Sequence, residues 1–359
     1  MTAEQLEFVK KLIETPTPSG LESAGAMLLG ARIREKTGIR PAIDVHGNLH
    51  AVLDAGAERT VLLDGHGDEI GYAVQYIDDR GFVYLAAIGG VTASLSQAER
   101  IRILGRNGVV NGVIGARPPH LSRGKAGEAK PCELRDMPCD IGASSRAEAE
   151  ALVEPGDCAV VDSGFRPLAG TRVSGRGFDD RIGSFAMCEA FIRLATSPVR
   201  PKVNVHYVSS VCEEIGLVGG RLAAFAVNPD IGISCDVGFA TDASPEDAKT
   251  CGDIRLGAGA ALARGPIYHK GLFEHFRRTA RENGVKLQLR SVPKGSGNNG
   301  WAHKMEHGGA ATVQIAIPLR YMHSPVETID LADVDAVVDL TALAVAGLDG
   351  SFPLLPPQP

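Results

Sequence analysis

The 359-residue chain has no apolar run that could cross a membrane; its longest apolar stretches are broken well short of the roughly 18–20 residues a span needs. Nor does it open with a basic region followed by an apolar one. Thr2 and Gln5 read instead as a capping box, with Leu6, Val9 and Ile13 on one helical face. A cytoplasmic location is the expectation that follows. No CxxC pair occurs among the seven cysteines, and their number is odd, so neither a disulfide framework nor a structural zinc knuckle is expected. Cys212 and Cys235 read as small buried strand residues. Strong charge of one sign is also missing. A net charge of -6 excludes a sequence-wide attraction to nucleic acid or anionic membranes.

What is present is ordinary for a soluble globular chain: 44% hydrophobic and 22% charged residues, enough for about two domains and a large core. The 43 glycines fit many short turns between strands. Residues 19–37 predict a second helix, opened by a capping box from Ser19 to Glu22. Residues 43–51 predict a strand with a turn at Gly47-Asn48, and the apolar run 60–64 delivers His66. Short β-like pieces then follow at 72–77, 82–87, 100–104, 109–114 and 158–161, separated by turn signals such as Asp79-Arg80-Gly81. The basic, Pro/Gly-containing stretch 118–130 predicts a mobile loop. From Asp179 onward helical and strand patterns alternate, ending in an apolar helix capped by Asp330. The expected fold is α/β, a mixed sheet flanked by helices (1–71 and 166–359), with a small β-barrel-like domain inserted at 72–165.

Five metal-capable residues, His66, Asp179, Glu214, Asp236 and His323, each follow an apolar strand-like run or open the helix after one. In an open α/β sheet, chemistry gathers at the carboxyl ends of strands. In His66-Gly67-Asp68, residues i and i+2 share a face, so Asp68 is placed to bond the ring nitrogen that His66 does not give to a metal. Asp179-Asp180 repel each other unless a cation sits nearby. Glu213-Glu214 follow a buried strand where two acids would be costly unpaired. Charge balances for two divalent ions, three carboxylate ligands and one shared hydroxide. Glu213 is then free to act as general base and acid.

His303-Lys304-Met305-Glu306-His307 matches the inverted zinc-protease motif. Glycines at 300, 308 and 309 leave it scarcely two turns of helix, so it reads as a pocket-lining turn rather than a zinc site. His46, His50, His206, His269 and His275 read as surface or packing residues; His120 stands out in the loop.

Jointly these stretches resemble the dinuclear-metal tetrahedral aminopeptidases, whose relatives are labelled glutamyl aminopeptidase, deblocking aminopeptidase or endoglucanase. The carriers are His66-Gly67-Asp68-Glu69-Ile70-Gly71, Phe178-Asp179-Asp180-Arg181, Glu213-Glu214-Ile215-Gly216-Leu217, Cys235-Asp236-Val237 and Arg320-Tyr321-Met322-His323-Ser324-Pro325. Pro118-Pro119-His120 and residues 140–145 add to it. The resemblance implies a zinc-exopeptidase-like catalytic domain and a dimerising insert. It implies one metal ion on His66, Asp179 and Asp236 and a second on Asp179, Glu214 and His323, with zinc favoured over cobalt or manganese. It further implies Glu213 as base, Asp68 orienting His66, a cis Asp179–Asp180 bond, and dimers that build a hollow dodecamer admitting peptides with a free N-terminus. Two departures stand out: glycine at 67, where relatives carry a bulkier residue, and Ser296-Gly297-Asn298-Asn299-Gly300, which lacks the acid of a Gly-Thr-Asp-Ala-like segment. Rival readings are a co-catalytic amidohydrolase (deacylase or carboxypeptidase), a carboxylate-pair glycosidase, and a non-catalytic shell subunit.

Overall fold

The computed structural model describes residues 1–116, 133–243, 247–295 and 297–355. His120, the rest of residues 118–130, for which a mobile loop was expected, and Ser296 lie outside them. The chain opens with helices α1 (Ala3–Glu14) and α2 (Ser23–Thr37), then strands β1 (Ala42–Ile43), β2 (Leu49–Leu53) and β3 (Thr60–His66). Next come β4 (Gly71–Ile77), β5 (Val83–Ile88), β6 (Arg100–Gly105), β7 (Gly108–Ile114), β8 (Cys139–Asp140), α3 (Arg146–Glu150) and β9 (Cys158–Val161). The chain continues through β10 (Arg166–Pro167), β11 (Arg172–Gly175), α4 (Phe178–Thr196), β12 (Asn204–Ser210), α5 (Val218–Val227) and β13 (Ile231–Phe239). It ends with α6 (Ala248–Cys251), β14 (Ala260–Arg264), α7 (Lys270–Glu282), β15 (Leu287–Ser291), α8 (Asn299–Met305), β16 (Ala311–Arg320), β17 (Glu327–Asp330) and α9 (Leu331–Ala346).

These elements divide into two units: 1–69 with 165–322 and 326–359, and 70–164 with 323–325. The second is a closed barrel in the order β4-β5-β8-β7-β6-β9, filled by Val74, Val83, Leu85, Ile101, Ile103 and Ala159. Closure removes the exposed strand edges that such short strands would otherwise present.

The larger unit holds a mixed sheet ordered β1-β2-β12-β3-β13-β16-β17-β11-β10, with β14 and β15 branching from β16. Its centre is parallel: β12 pairs with β3, β3 with β13, and β13 with β16. Strands that are buried on both faces read as continuous apolar runs. In β3 the two faces separate cleanly: Val61 and Leu63 join the main core, while Leu62 packs with Val208 and Ala223. Helix α4, buried along almost its whole length, covers the first face. Gly65 is needed for that approach, since a Cβ there would lie 2.6 Å from the Ser184 amide nitrogen of α4.

Several local readings meet the structure directly. Thr2 and Gln5 form the capping box of α1, and Asp330 caps α9. The Ser19–Glu22 capping box is not formed: α2 begins at Ser23, and Glu22 makes no side-chain cap. Both side chains are spent elsewhere, as described below. The strand expected at 43–51 with a turn at Gly47-Asn48 is the antiparallel pair β1 and β2 on either side of that turn. Among the described residues no helix is long and apolar enough to cross a membrane.

Candidate metal centre

Because β3, β12 and β13 run parallel, their carboxyl ends share one edge of the sheet. His66 is the last residue of β3, opposite Ser210, the last residue of β12. Glu213 and Glu214 follow β12 after two residues. Asp236 does not end β13, which continues to Phe239 against β16; it lies past Ser234, the last residue of β13 paired with β3. Asp179 and Asp180 open α4, and the peptide bond between them is cis.

The donor atoms converge in two groups. His66, Glu213 and Asp236 each offer an atom within 4.8 Å of the others, and so do His66, Asp179 and Glu214. His66 Nε2 lies 3.3 Å from Asp179 Oδ1 and 3.8 Å from Glu213 Oε2. Neither group, searched among the described residues, includes His323. His323 follows β16 by three residues with a positive φ of 59°, in the short 323–325 stretch that belongs with the barrel unit.

His66 Nδ1 sits 3.2 Å from both the backbone oxygen and Oδ1 of Asp68. That contact was readable from the i, i+2 spacing. What the spacing does not show is how much else Asp68 holds. Its Oδ1 accepts the Glu213 N–H at 3.0 Å, and its Oδ2 accepts the Glu214 N–H at 3.2 Å and the Ser19 hydroxyl at 2.6 Å. The two preceding amides are also held by side chains: Val211 donates to Asn48 Oδ1 at 3.0 Å and Cys212 to Glu22 Oε1 at 3.1 Å. Beyond the end of β12, four successive N–H groups are thus satisfied by side chains in place of a neighbouring strand. Ser19, Glu22 and Asn48 are the contributors sequence reading missed. Each sits at a turn or helix start, where a local role explains it equally well.

Behind the acids lies a basic clamp. Glu69, fully buried, accepts from Arg176 and from Arg181 Nη2 at 3.2 Å, and Arg181 also donates to the carbonyls of Leu12 and Thr15. Burial pushes the Glu69 carboxyl up, but the two guanidinium groups outweigh it and hold it below its usual value. These arginines are committed to Glu69 and to backbone carbonyls.

Within the centre the buried carboxylates act on one another. Burial, then the neighbouring acids Asp236 and Asp179, pushes Glu213 up to about 9 against the partial pull of His66. Burial and Asp179 push Asp236 up to about 7, and burial with Asp236 holds Asp180 well above the carboxylate range. Burial pulls the His66 imidazole down, yet Glu213, Asp179 and Asp68 outweigh it and hold it well above its usual value. Glu213 Oε1 and Asp180 Oδ1 are buried without a hydrogen-bond partner. Such a site holds protons where a cation would otherwise sit. One imidazole and several carboxylates at these separations fit divalent ions of the zinc, manganese or cobalt kind.

The inverted motif behaves as a structural element. His303 is buried in α8 with Nε2 2.8 Å from Asp64 Oδ2, while His307 bonds the Phe225 carbonyl and Glu306 pairs with Arg221. Its two histidines face different partners. A cleft of about 560 Å³ lined by Asp230, Lys270, Lys304 and Gly308 opens at the other edge of the sheet, where β13 and β16 begin, away from the centre. Of the remaining histidines, His50 and His206 contact each other, and His269 and His275 bond the carbonyls of Leu354 and Ala344. All described cysteines are free, and Cys235 is buried.

Residues 47–340 match the family described as M42 glutamyl aminopeptidase. A lysyl aminopeptidase of Pyrococcus furiosus is 35% identical over 337 residues, covering 93% of this chain and 94% of the relative. The TET aminopeptidase of the marine sediment archaeon Thaumarchaeota archaeon SCGC AB-539-E09 superposes with a TM-score of 0.91 at 28% identity, covering 97% of this chain and 98% of that one. The Pyrococcus horikoshii TET1 peptidase, which can assemble into a tetrahedron or a large octahedral shell, gives 0.83 at 30% identity, with 96% and 100% covered. With a family match over most of its length, and a relative 35% identical across 93% of it, this chain is a peptidase belonging to the M42 glutamyl aminopeptidase family.

Proposed function

We propose that this chain removes N-terminal residues from peptides as a metal-dependent aminopeptidase. The observation that carries the reading is the pair of donor groups sharing His66, in which burial and the neighbouring acids raise the proton affinity of Glu213 and Asp236. His66, Asp179 and Asp236 would hold one divalent ion and Asp179 and Glu214 a second, with His323 entering as the further ligand implied by the resemblance; zinc is the ion we favour. Bound ions would polarise the scissile carbonyl and make water acidic enough to attack near neutral pH.

The chain's own residues supply the rest. Asp68 orients His66, and by holding the Glu213 and Glu214 amides it fixes both carboxylates relative to that ring. Glu213, with one oxygen unpartnered and an affinity for protons raised by burial, takes a proton from the attacking water and returns it to the departing amine. We also propose self-association through the barrel unit, as dimers and a dodecamer, by analogy with the shell-forming relative.

The test is a matched panel of aminoacyl amides with free and with blocked amines, run on metal-stripped and metal-restored protein. Cleavage of free-amine substrates alone, restored by metal, is expected. Equal cleavage of blocked substrates would point to a deacylase, and activity surviving chelation would overturn the metal reading. Light scattering on the same sample reads the assembly; a monomer would remove that part.

A further inference from the structure

Asp64 and His303 take no part in the chemistry above, yet Asp64 exposes none of its surface and His303 only 1%. Along the face of β3 that carries His66, the chain reads Leu62, Asp64, His66. One step down, Leu62 packs with Val208 and Ala223 in an apolar cluster. Asp64 places a buried carboxylate one step further along this strand, two residues before His66.

Hydrogen bonds around Asp64 have fixed directions. Asn299 Nδ2 donates to Ser210 Oγ at 2.8 Å, and Ser210 Oγ donates to Asp64 Oδ1 at 2.7 Å. His303 Nε2 lies 2.8 Å from Asp64 Oδ2, which accepts its proton. Ser210 in turn takes the Gly67 N–H on its backbone oxygen at 2.8 Å and stands opposite His66 in the strand register. The carboxylate therefore ties α8 to the ends of both β3 and β12. Helix α8 is also seated closely on β13: a Cβ on Gly300 would meet Ser234 Oγ at 2.7 Å, and one on Gly232 would meet His303 Nδ1 at 2.9 Å. Ser234 lies two residues before Asp236. An apolar filling could occupy this volume, but directional bonds between named groups specify the spacing of the strand ends more narrowly than packing alone.

We propose that Asp64 and His303 are a positioning pair for the metal centre, setting the separation between His66 at the end of β3 and Glu213-Glu214 beyond the end of β12. This rests on the reading of that centre as divalent-metal binding. The pair touches neither metal nor substrate, so both residues act through Ser210 and the strand ends.

The experiment compares wild type with His303→Leu, His303→Gln, Asp64→Asn and the Asp64→Asn/His303→Leu double variant. Metal-stripped protein is titrated with zinc alone by calorimetry, the cobalt-loaded protein is read by its visible absorption, and kcat and KM are measured on an aminoacyl p-nitroanilide. His303→Leu is expected to weaken zinc affinity about 10–100-fold, to change the cobalt spectrum, and to lower kcat with KM nearly unchanged. His303→Gln, whose amide nitrogen reaches the position of the imidazole Nε2, should recover most of the loss. The double variant should be no worse than the poorer single one, as for residues acting as a unit. Wild-type zinc affinity and spectrum in His303→Leu, with only a lower melting temperature, would overturn the proposal. Should His303→Leu fail to fold, unaltered zinc affinity in both folded Asp64→Asn and His303→Gln would overturn it equally, and a loss confined to Asp64→Asn would uphold it. Wild-type protein that takes up no zinc would remove the centre itself, and this proposal with it, whereas zinc uptake without peptide cleavage would overturn the peptidase reading alone.

Discussion

The Asp68 carboxylate accepts the backbone N–H of Glu213 at 3.0 Å while its other contacts reach His66 and Ser19. A residue that a sequence reading assigns to tautomer control is thus also the anchor of the Glu213-Glu214 arm. Asp68→Asn keeps the size but replaces one acceptor oxygen with an amide donor facing an N–H or hydroxyl. Metal affinity is expected to fall about 10–100-fold, as for other partners that orient ligands. Titration of stripped protein with zinc checks this; unchanged affinity would confine Asp68 to packing.

Glu213→Ala should leave metal uptake within a few-fold of wild type and remove nearly all turnover, about 10²–10⁴-fold for a lost general base. Metal content by elemental analysis and kcat on the same sample give both readings. Loss of metal along with activity would instead make Glu213 a ligand, a role its place in the first donor group permits.

Metal-free protein should be most stable in mild acid. Asp236, Glu213 and His66 all bind protons more tightly folded than unfolded. Their contribution is fully present below the unfolded carboxylate range and is lost as pH rises, through about 7 for Asp236 and about 9 for Glu213. The melting temperature of stripped protein should fall from pH 5 to pH 9, and added zinc should raise it most at the alkaline end, where ions replace missing protons. A flat profile without metal would contradict the burial of these acids.

Glu69 is expected to matter for stability. Glu69→Ala leaves Arg176 and Arg181 buried without their shared carboxylate, at a cost of about 3–5 kcal/mol. Its depressed affinity for protons gives the opposite sign to the acids above: the contribution is present above the unfolded glutamate value and lost as pH falls through the lower folded one. Urea denaturation at pH 7 and pH 4 checks both the size and the direction.

The site was legible in the chain wherever chemistry and topology gave the same signal. His66 and the Glu213-Glu214 pair stand where apolar runs give out, and acids after a buried strand are too costly to be incidental. Asp236 was identified on that argument although its strand runs on to Phe239, because what ends there is the pairing with β3 rather than β13 itself. Ser19, Glu22 and Asn48 were not legible. Their bonds to Asp68, Cys212 and Val211 span the fold, while a capping box and a turn are local explanations of the same letters. His303 was read as part of a pocket-lining turn, since its motif is hemmed by glycines, and its partner Asp64 could be found only by folding the chain. The inserted barrel was legible from its turns, whereas short strands such as β17 and β11, lacking a periodic signal, were not.

The arm from Val211 to Glu214 has no strand beside it and borrows its order from residues near positions 20, 48 and 68. It cannot be immobilised until those three remote stretches have arrived. Order in the arm is thereby a late report on the arrival of those stretches, and a chain caught partly folded would not hold Glu213 and Glu214 in register.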